Sequence, residues 1–453
     1  MLLCPLDYRY GREPMKSIFS EDNRLLTQLQ VEAALAETHA DMGHIPSEAA
    51  AEIALYANLK DTTPERIREI EAETKHDIMA VVKALSEQCG EAGAYVHLGA
   101  TSNDIIDTAT ALQLKQALDI IEADVDELVA TLAKLAHRHR DTIMAGRTHG
   151  QWAIPTTFGF KMAGWCTEMM RYQERIEEIR KRICVGKMSG AIGTGAAMGE
   201  DALELQERLM ANLGLGYELA ATQIVCRDRY AELVCLMSMI ATSCERYATE
   251  VRNLQRSEIM EVAEAFDSKK QVGSSTMAQK RNPVVSENIC GLSRIVRAFI
   301  TPSLEDMVLW HERDLTNSSA ERFILPHVMV LTDEILAKMD SVLRHLSVSP
   351  INMRRNLDSA QGMIMAEPVM MALTAKGMGR QDAHEILRTA SIESEEKRIG
   401  LKETLLKDTR VKKLMTKKEI DAVMDPTNYL GKTGEVVDLV VAQANPVRKP
   451  AKE

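Results

Sequence analysis

An all-α fold, built on long helices packed as a bundle, is what this sequence predicts. Three observations carry that reading. Apolar residues recur at helical spacing almost throughout, strand signals are few, and aromatic residues make up only 4% of the 453-residue chain. Leu114, Leu118, Ile121, Val125, Leu128, Leu132 and Leu135 recur at spacings of four and three, the seam of one long helix. Ile67, Ile70, Thr74, Ile78, Val81 and Leu85 form a second stripe, for which Thr63-Pro64 is the start signal. The segment from Tyr230 to Cys244 is apolar nearly all round, as a helix at the centre of a bundle is.

The pattern divides the chain into three expected domains. Residues 1–100 carry shorter helices and residues 101–345 carry the long ones. Residues 346–445 shorten again, with breaks at Pro350, Gly377, Gly379 and Pro426, and 446–453 read as a disordered tail. The glycines at 190, 193 and 195 suggest a dinucleotide loop at first sight. They lack its spacing, a preceding strand and a βαβ setting, and read as a tight turn between long helices.

A net charge of -11 argues against a general nucleic-acid binder, which carries a basic face. Lys269, Lys270, Lys280 and Arg281 nonetheless make a basic island, either a solvated charge run or a seat for a small polyanion. The eight cysteines form no CxxC pair and read as buried hydrophobes in a reducing compartment, not as a disulfide frame or zinc site. Charged residues from Asp7 onward leave no secretory apolar core. The longest uncharged apolar run, Leu233 to Cys244, is too short to span a bilayer. A soluble cytoplasmic protein with neither nucleic acid nor membrane as a partner is expected.

Five polar clusters interrupt the helical stripes. The densest is Gly273 to Pro283, which packs the hydroxyls of Ser274 and Ser275 with Lys280, Arg281 and Asn282. Core packing does not call for that mixture. A site that removes a proton from carbon beside a carboxylate does: a hydroxyl acts as base and the cations hold the developing charge. The other clusters are Lys75-His76-Asp77, Thr101-Ser102-Asn103-Asp104, Arg147-Thr148-His149-Gly150, and His311 to Asp314 running on to Arg322. His76 lies off its apolar stripe, as a ligand or as a plain surface histidine. His149, at the end of a helical run, suits either a proton donor or a cap on helix carbonyls. Arg313, Ser318 and Arg322, five and four apart, make a phosphate seat or an ion-pair network with Glu312 and Glu321.

Length adds a constraint. Thr101 and Ser102 precede, and His149 follows, a helical stretch of roughly residues 106 to 140, about 50 Å at 1.5 Å per residue. If both clusters serve one site, that site is shared between chains, in a symmetric homo-oligomer whose long helices form a common core.

With these clusters placed, the sequence resembles the adenylosuccinate lyase family of the fumarase/aspartase superfamily, in its archaeal form. The motifs are YRYG, VHLGATSNDIIDTA, GRTHGQ, WHERDLTNSSAER and MGRQDAHE, spread between about Pro5 and about Gly431. GSSTMAQKRNP resembles the superfamily signature GSSxMPxKxNP at every fixed position but one. The resemblance implies a three-domain all-α lyase with a central helical bundle, and a homotetramer whose active sites are each built from three subunits. It implies two reactions of purine biosynthesis without metal or organic cofactor: fumarate is eliminated from adenylosuccinate, leaving AMP, and from the succinocarboxamide ribotide SAICAR, leaving AICAR.

Carried onto this chain, the resemblance implies Ser274 as general base, His149 as general acid, and His76 as the histidine that binds substrate and orients the acid. Lys280 and Asn282 hold the carboxylate whose charge grows, with Ser275 and Arg281 beside them. Thr101 and Ser102 bind the fumarate-side carboxylates. Arg9, Tyr10, Arg313, Ser318 and Arg322 hold the ribotide and its phosphate, and Lys75, Asp77, Gln223 and Asn288 complete the binding set. Two departures stand out. Ala278 replaces the signature proline and is expected to leave the loop looser, and Trp152 stands where related members carry a histidine. Other superfamily lyases, such as argininosuccinate lyase, aspartase or fumarase, share the serine loop, and a catalytically silent scaffold shares the fold. The phosphate set and the intact site residues weigh against both.

Overall fold

The structure is a computed structural model that describes residues 3–265, 277 and 280–444. The tail expected to be disordered lies outside the described residues. Two compact units are present: Met1–Val125, Tyr172–Glu245 and Cys290–Ala337 form one, and Asp126–Arg171, Arg246–Ile289 and Lys338–Glu453 form the other.

In the first unit the helix Glu21–Asp41 starts at Ser20, whose hydroxyl accepts from Asn23 N at 3.2 Å, and carries acidic residues in its first turn. Leu25 and Leu29 pack against Ile53, Ile67, Ile70 and Leu85, while Leu35 joins Ile78, Ile105 and Leu209 in a second cluster. The Ile67-to-Leu85 stripe proves to be two helices, Pro64–Thr74 and Asp77–Gln88. The break has a physical cause: Lys75 takes a left-handed conformation, φ 55°, and His76 N-caps the next helix by accepting from Met79 N at 3.4 Å. Ile67, Ile70, Val81 and Leu85 share the first core cluster across the break, while Ile78 turns into the second.

The long helices are Ser102–Arg138, Phe158–Ile183, Asp228–Leu254 and Thr316–Arg344, with Val284–Ala298 shorter. All seven residues of the leucine seam are buried. So are Leu233, Val234, Met237, Ile240, Ala241 and Cys244, as expected of a helix apolar nearly all round.

Strands are few. Val185–Gly186 pairs in parallel with Gly216–Tyr217, and Val262–Ala263 pairs antiparallel with Ser347–Val348. The third pair, Ile143–Thr148 with Gln151–Thr157, is a hairpin where sequence reading placed the end of a helical run. His149 and Gly150 form its tip with φ of 54° and 75°. Two consecutive positive φ values match the twist of a tight hairpin turn, which a helix end does not need. Beyond it in the second unit, short helices pack around Val369, Leu373, Ile386, Leu401 and Leu405.

Candidate active site

The first unit contains a cavity of about 430 Å³. One face each of the helices Glu21–Asp41, Ser102–Arg138 and Thr316–Arg344 lines it, together with Asp77 at the start of its own helix. Four residues assigned to the site from sequence share this wall, Asp77, Arg313, Ser318 and Arg322, together with Asn103 and Glu321 of the polar clusters. Ser318 and Arg322 lie one helical turn apart, and Arg322 Nη2 donates to Asp77 Oδ2 at 2.9 Å. Arg313 sits just before the helix, and its Nη1 donates to Gln223 Oε1 at 3.0 Å. A backbone bond from Gln223 N to Glu312 O at 3.3 Å fastens the same two segments. Asp314 fixes the turn beneath them, accepting from Thr316 N and Trp310 N, each at 2.8 Å. Hydrogen bonds from Thr316, led by its hydroxyl, hold the Asp314 carboxyl below the usual carboxylate range.

A buried ion triad underlies the wall, and sequence reading missed it. Arg227, 5% exposed, donates to both Asp107 oxygens at 2.9 Å and to Glu321 Oε1 at 2.6 Å. Burial opposes the Arg227 charge, but Asp107 foremost and Glu321 outweigh it, so the guanidinium holds its proton more tightly than usual. Glu321 therefore serves Arg227, not the surface network with Arg313 that the sequence left open. Asn317 adds a donor to Glu321 Oε1 at 2.8 Å.

The remaining predicted residues of this unit lie off the cavity wall. Lys75 and His76 are exposed, with His76 Nδ1 3.7 Å from Asp77 Oδ1. Thr101 and Ser102 begin the long helix, where the buried Asp104 carboxylate accepts from Thr101 N at 2.8 Å. The same carboxylate accepts from Ser189 N and Gly190 N, each at 3.0 Å, and pairs with buried Lys187. That network pins the glycine turn at 190–195 to the Thr101 corner. Arg9 is exposed at the end of the short helix Pro5–Tyr8, and Tyr10 N bonds to Pro5 O at 3.1 Å.

In the second unit His149 is exposed at the hairpin tip. Two residues back, Arg147 donates to the Glu261 carboxylate at 3.0 and 2.6 Å, and Asn356 Nδ2 donates to Glu261 Oε1 at 2.9 Å. Glu264 caps the helix Val284–Ala298, accepting from Val285 N at 3.2 Å and Ser286 N at 2.7 Å. Lys280 N bonds to Met277 O at 3.1 Å, and Arg281 O accepts from Gln255 Nε2 at 3.2 Å. Asn282 is half-buried, and Asn288 Oδ1 accepts from Lys338. Ser274 and Ser275 lie outside the described residues, as does Ala278. Trp152 is half-exposed opposite Arg147 in the hairpin register. Among the described residues no His, Cys, Asp and Glu cluster is placed to hold a metal, and no helix is long and apolar enough to cross a membrane.

Residues 7–298 match the family described as Lyase, and residues 362–440 match the adenylosuccinate lyase C-terminus. The adenylosuccinate lyase of Pyrococcus abyssi is 50% identical over 441 residues, which are 97% of this chain and 98% of that one. The adenylosuccinate lyase of Methanocaldococcus jannaschii is 47% identical over 442 residues, 97% of this chain and 96% of the relative. Among solved structures, a fumarate lyase from Mesorhizobium sp. BNC1 superposes with a TM-score of 0.88 at 36% identity, covering 95% of this chain and 98% of that one. The 3-carboxy-cis,cis-muconate lactonizing enzyme of Pseudomonas putida gives 0.88 at 32% identity, covering 97% and 98%. The long-helix architecture, two family matches that together span most of the sequence, and near-half identity from end to end lead to one conclusion: this chain belongs to the adenylosuccinate lyase family and is a carbon–nitrogen lyase with the all-α fold of its superfamily.

Proposed function

We propose that the chain eliminates fumarate from adenylosuccinate, giving AMP, and from SAICAR, giving AICAR. The observation that carries this reading is the shared wall of Arg313, Ser318, Arg322 and Asp77, with Gln223 bonded to Arg313. Two guanidiniums and a hydroxyl on one cavity suit a ribotide phosphate, which argininosuccinate and aspartate lack. The family match to the C-terminal region supports the same substrate class.

In this reading Ser274 takes a proton from the succinyl Cβ. The electron pair left behind forms the fumarate double bond, the C–N bond breaks, and His149 delivers a proton to the departing nitrogen. Lys280 and Asn282, flanked by Ser275 and Arg281, hold the carboxylate whose charge grows. His76 orients the acid, and Thr101 and Ser102 hold the fumarate-side carboxylates. Arg9, Tyr10, Lys75 and Asn288 complete the binding set. The elimination moves protons and electron pairs without net oxidation, so the reading calls for no cofactor.

The site is completed by other copies of this chain in a homotetramer. The helix Ser102–Arg138 has 37 residues. That makes the helix about 55 Å long, the span that keeps Thr101 and His149 of one chain from sharing a site in this reading. Exposed apolar residues on the long helices, Met239 at 44% and Phe323 at 64%, support a helix-to-helix interface. Steady-state kinetics with adenylosuccinate, SAICAR and argininosuccinate test the proposal. Turnover of both ribotides and not of argininosuccinate is expected. A folded, assembled protein inert toward both ribotides would sink the reading.

A further inference from the structure

The carboxylates on the cavity wall are all committed to named cations. Glu21 takes Arg68 Nη2 at 2.9 Å, and Asp77 takes Arg322 at 2.9 Å. Asp107 and Glu321 are both engaged by Arg227. Two further guanidiniums line the same wall, Arg24 and Arg313, and neither forms an ion pair among the described residues. Arg313 reaches only the neutral amide of Gln223, and its Nε has no partner. The Arg24 guanidinium makes no hydrogen bond among the described residues. Burial pushes both below the ordinary arginine range, and for Arg24 the positive charge of Arg322 adds to the effect.

Neutral groups around them are also unfinished. Gln28, one turn beyond Arg24, is 2% exposed with an unpartnered Oε1. Asn103 and Asn317, each 1% exposed, leave Nδ2 and Oδ1 without partners. All three line the cavity. Two guanidiniums outside any ion pair of the described residues, with the unpartnered donors Arg313 Nε and Asn103 Nδ2, suit an anion, while the orphan oxygens of Gln28 and Asn317 call for donors such as the hydroxyls of a ribose.

We propose that Arg24 is a further substrate-binding residue, which together with Arg313 neutralises the phosphate dianion of the ribotide and makes the site selective for a phosphate monoester over an uncharged nucleoside. The proposal rests on the ribotide reading for its substrate, while its anion chemistry can be tested without turnover. Arg24 lies on the first long helix of the chain, away from every polar cluster of the sequence, and its placement on the wall is what assigns it.

The test uses the full-length chain, its Arg24→Gln and Arg24→Lys variants, and inorganic phosphate as probe. Phosphate is expected to raise the melting temperature of the parent, and this gain is expected to vanish in Arg24→Gln. Without phosphate, Arg24→Gln is expected to melt no lower than the parent, because it removes a charge that burial opposes and that forms no ion pair among the described residues. A merely structural arginine would do the reverse. KM for adenylosuccinate is expected to rise about 10- to 100-fold with kcat changed far less, and Arg24→Lys should fall between, since it keeps charge and loses the planar fork. A phosphate response that is absent in the parent, or undiminished in Arg24→Gln, overturns the proposal. Should Arg24→Gln fail to fold, an undiminished response in Arg24→Lys overturns it equally. Loss of the response in a protein that does not cleave either ribotide would leave the anion site standing and bring down the substrate reading instead.

Discussion

Arg147 and Glu261 meet through a two-pronged contact, Nη1 to Oε2 at 3.0 Å and Nη2 to Oε1 at 2.6 Å, with the Glu261 side chain fully buried. The pair joins the hairpin that carries His149 to the strand Val262–Ala263. Buried carboxylates of this kind depend on their partners, because an uncompensated charge in the interior is expensive. We predict that Arg147→Met lowers unfolding free energy by about 3 to 5 kcal/mol, the cost of stranding one member of a buried pair. Chemical denaturation reads this directly, and an unchanged midpoint would refute it.

The Arg227 triad makes a similar prediction for the first unit. Arg227→Met leaves Asp107 and Glu321 facing each other's charge without a cation, and is expected to melt well below the parent. Adding Asp107→Asn to that variant should recover part of the loss, because one stranded charge is then removed. A double variant no more stable than the single one would show that the carboxylates do not depend on the guanidinium.

His97 and Glu32 supply a pH dependence. His97 Nδ1 lies 2.7 Å from the Glu32 carboxylate, in a half-buried setting. Burial opposes the imidazolium, but Glu32 outweighs it and raises the His97 pKa above 6.5. A raised histidine pKa contributes stability that is fully present below the unfolded value and lost as pH rises through the folded one. The melting temperature of the parent is therefore expected to fall from about pH 6.5 upward relative to His97→Gln, for which this component is absent. Parallel pH profiles for the two proteins would remove the pair from the account.

Shared sites predict complementation. Ser274→Ala and His149→Asn are each expected to lose turnover by several orders of magnitude while still binding ribotide. If the serine and the histidine of one site come from different chains, mixing the two variants under conditions that exchange subunits restores activity, since some sites then draw both groups intact. Proven exchange with no recovery would count against sites built across subunits.

Periodicity made the long helices legible, because a seam such as Leu114 to Leu135 needs no partner to announce itself. Spacing likewise grouped Ser318 with Arg322, one turn apart on a single helix. The hairpin was not legible: its strands are short, and one of its two positive-φ positions is a histidine. The break at Lys75 was hidden for the same reason, since no glycine marks it. The Arg227 triad lay beyond local reading, its partners standing 120 and 94 residues away in sequence. Arg24 was invisible because its neighbours read as an ordinary capped helix start, and only the cavity shows what it faces.

The turn at the hairpin tip also governs which experiments on it are interpretable. Left-handed backbone admits glycine freely, asparagine, aspartate and histidine at small cost, and β-branched side chains hardly at all. Asparagine therefore deletes the imidazole of His149 while preserving the bend, whereas valine would deform the scaffold and the chemistry together. Selection acting on this position chooses from that same narrow alphabet, and histidine is the member of it that titrates near neutrality.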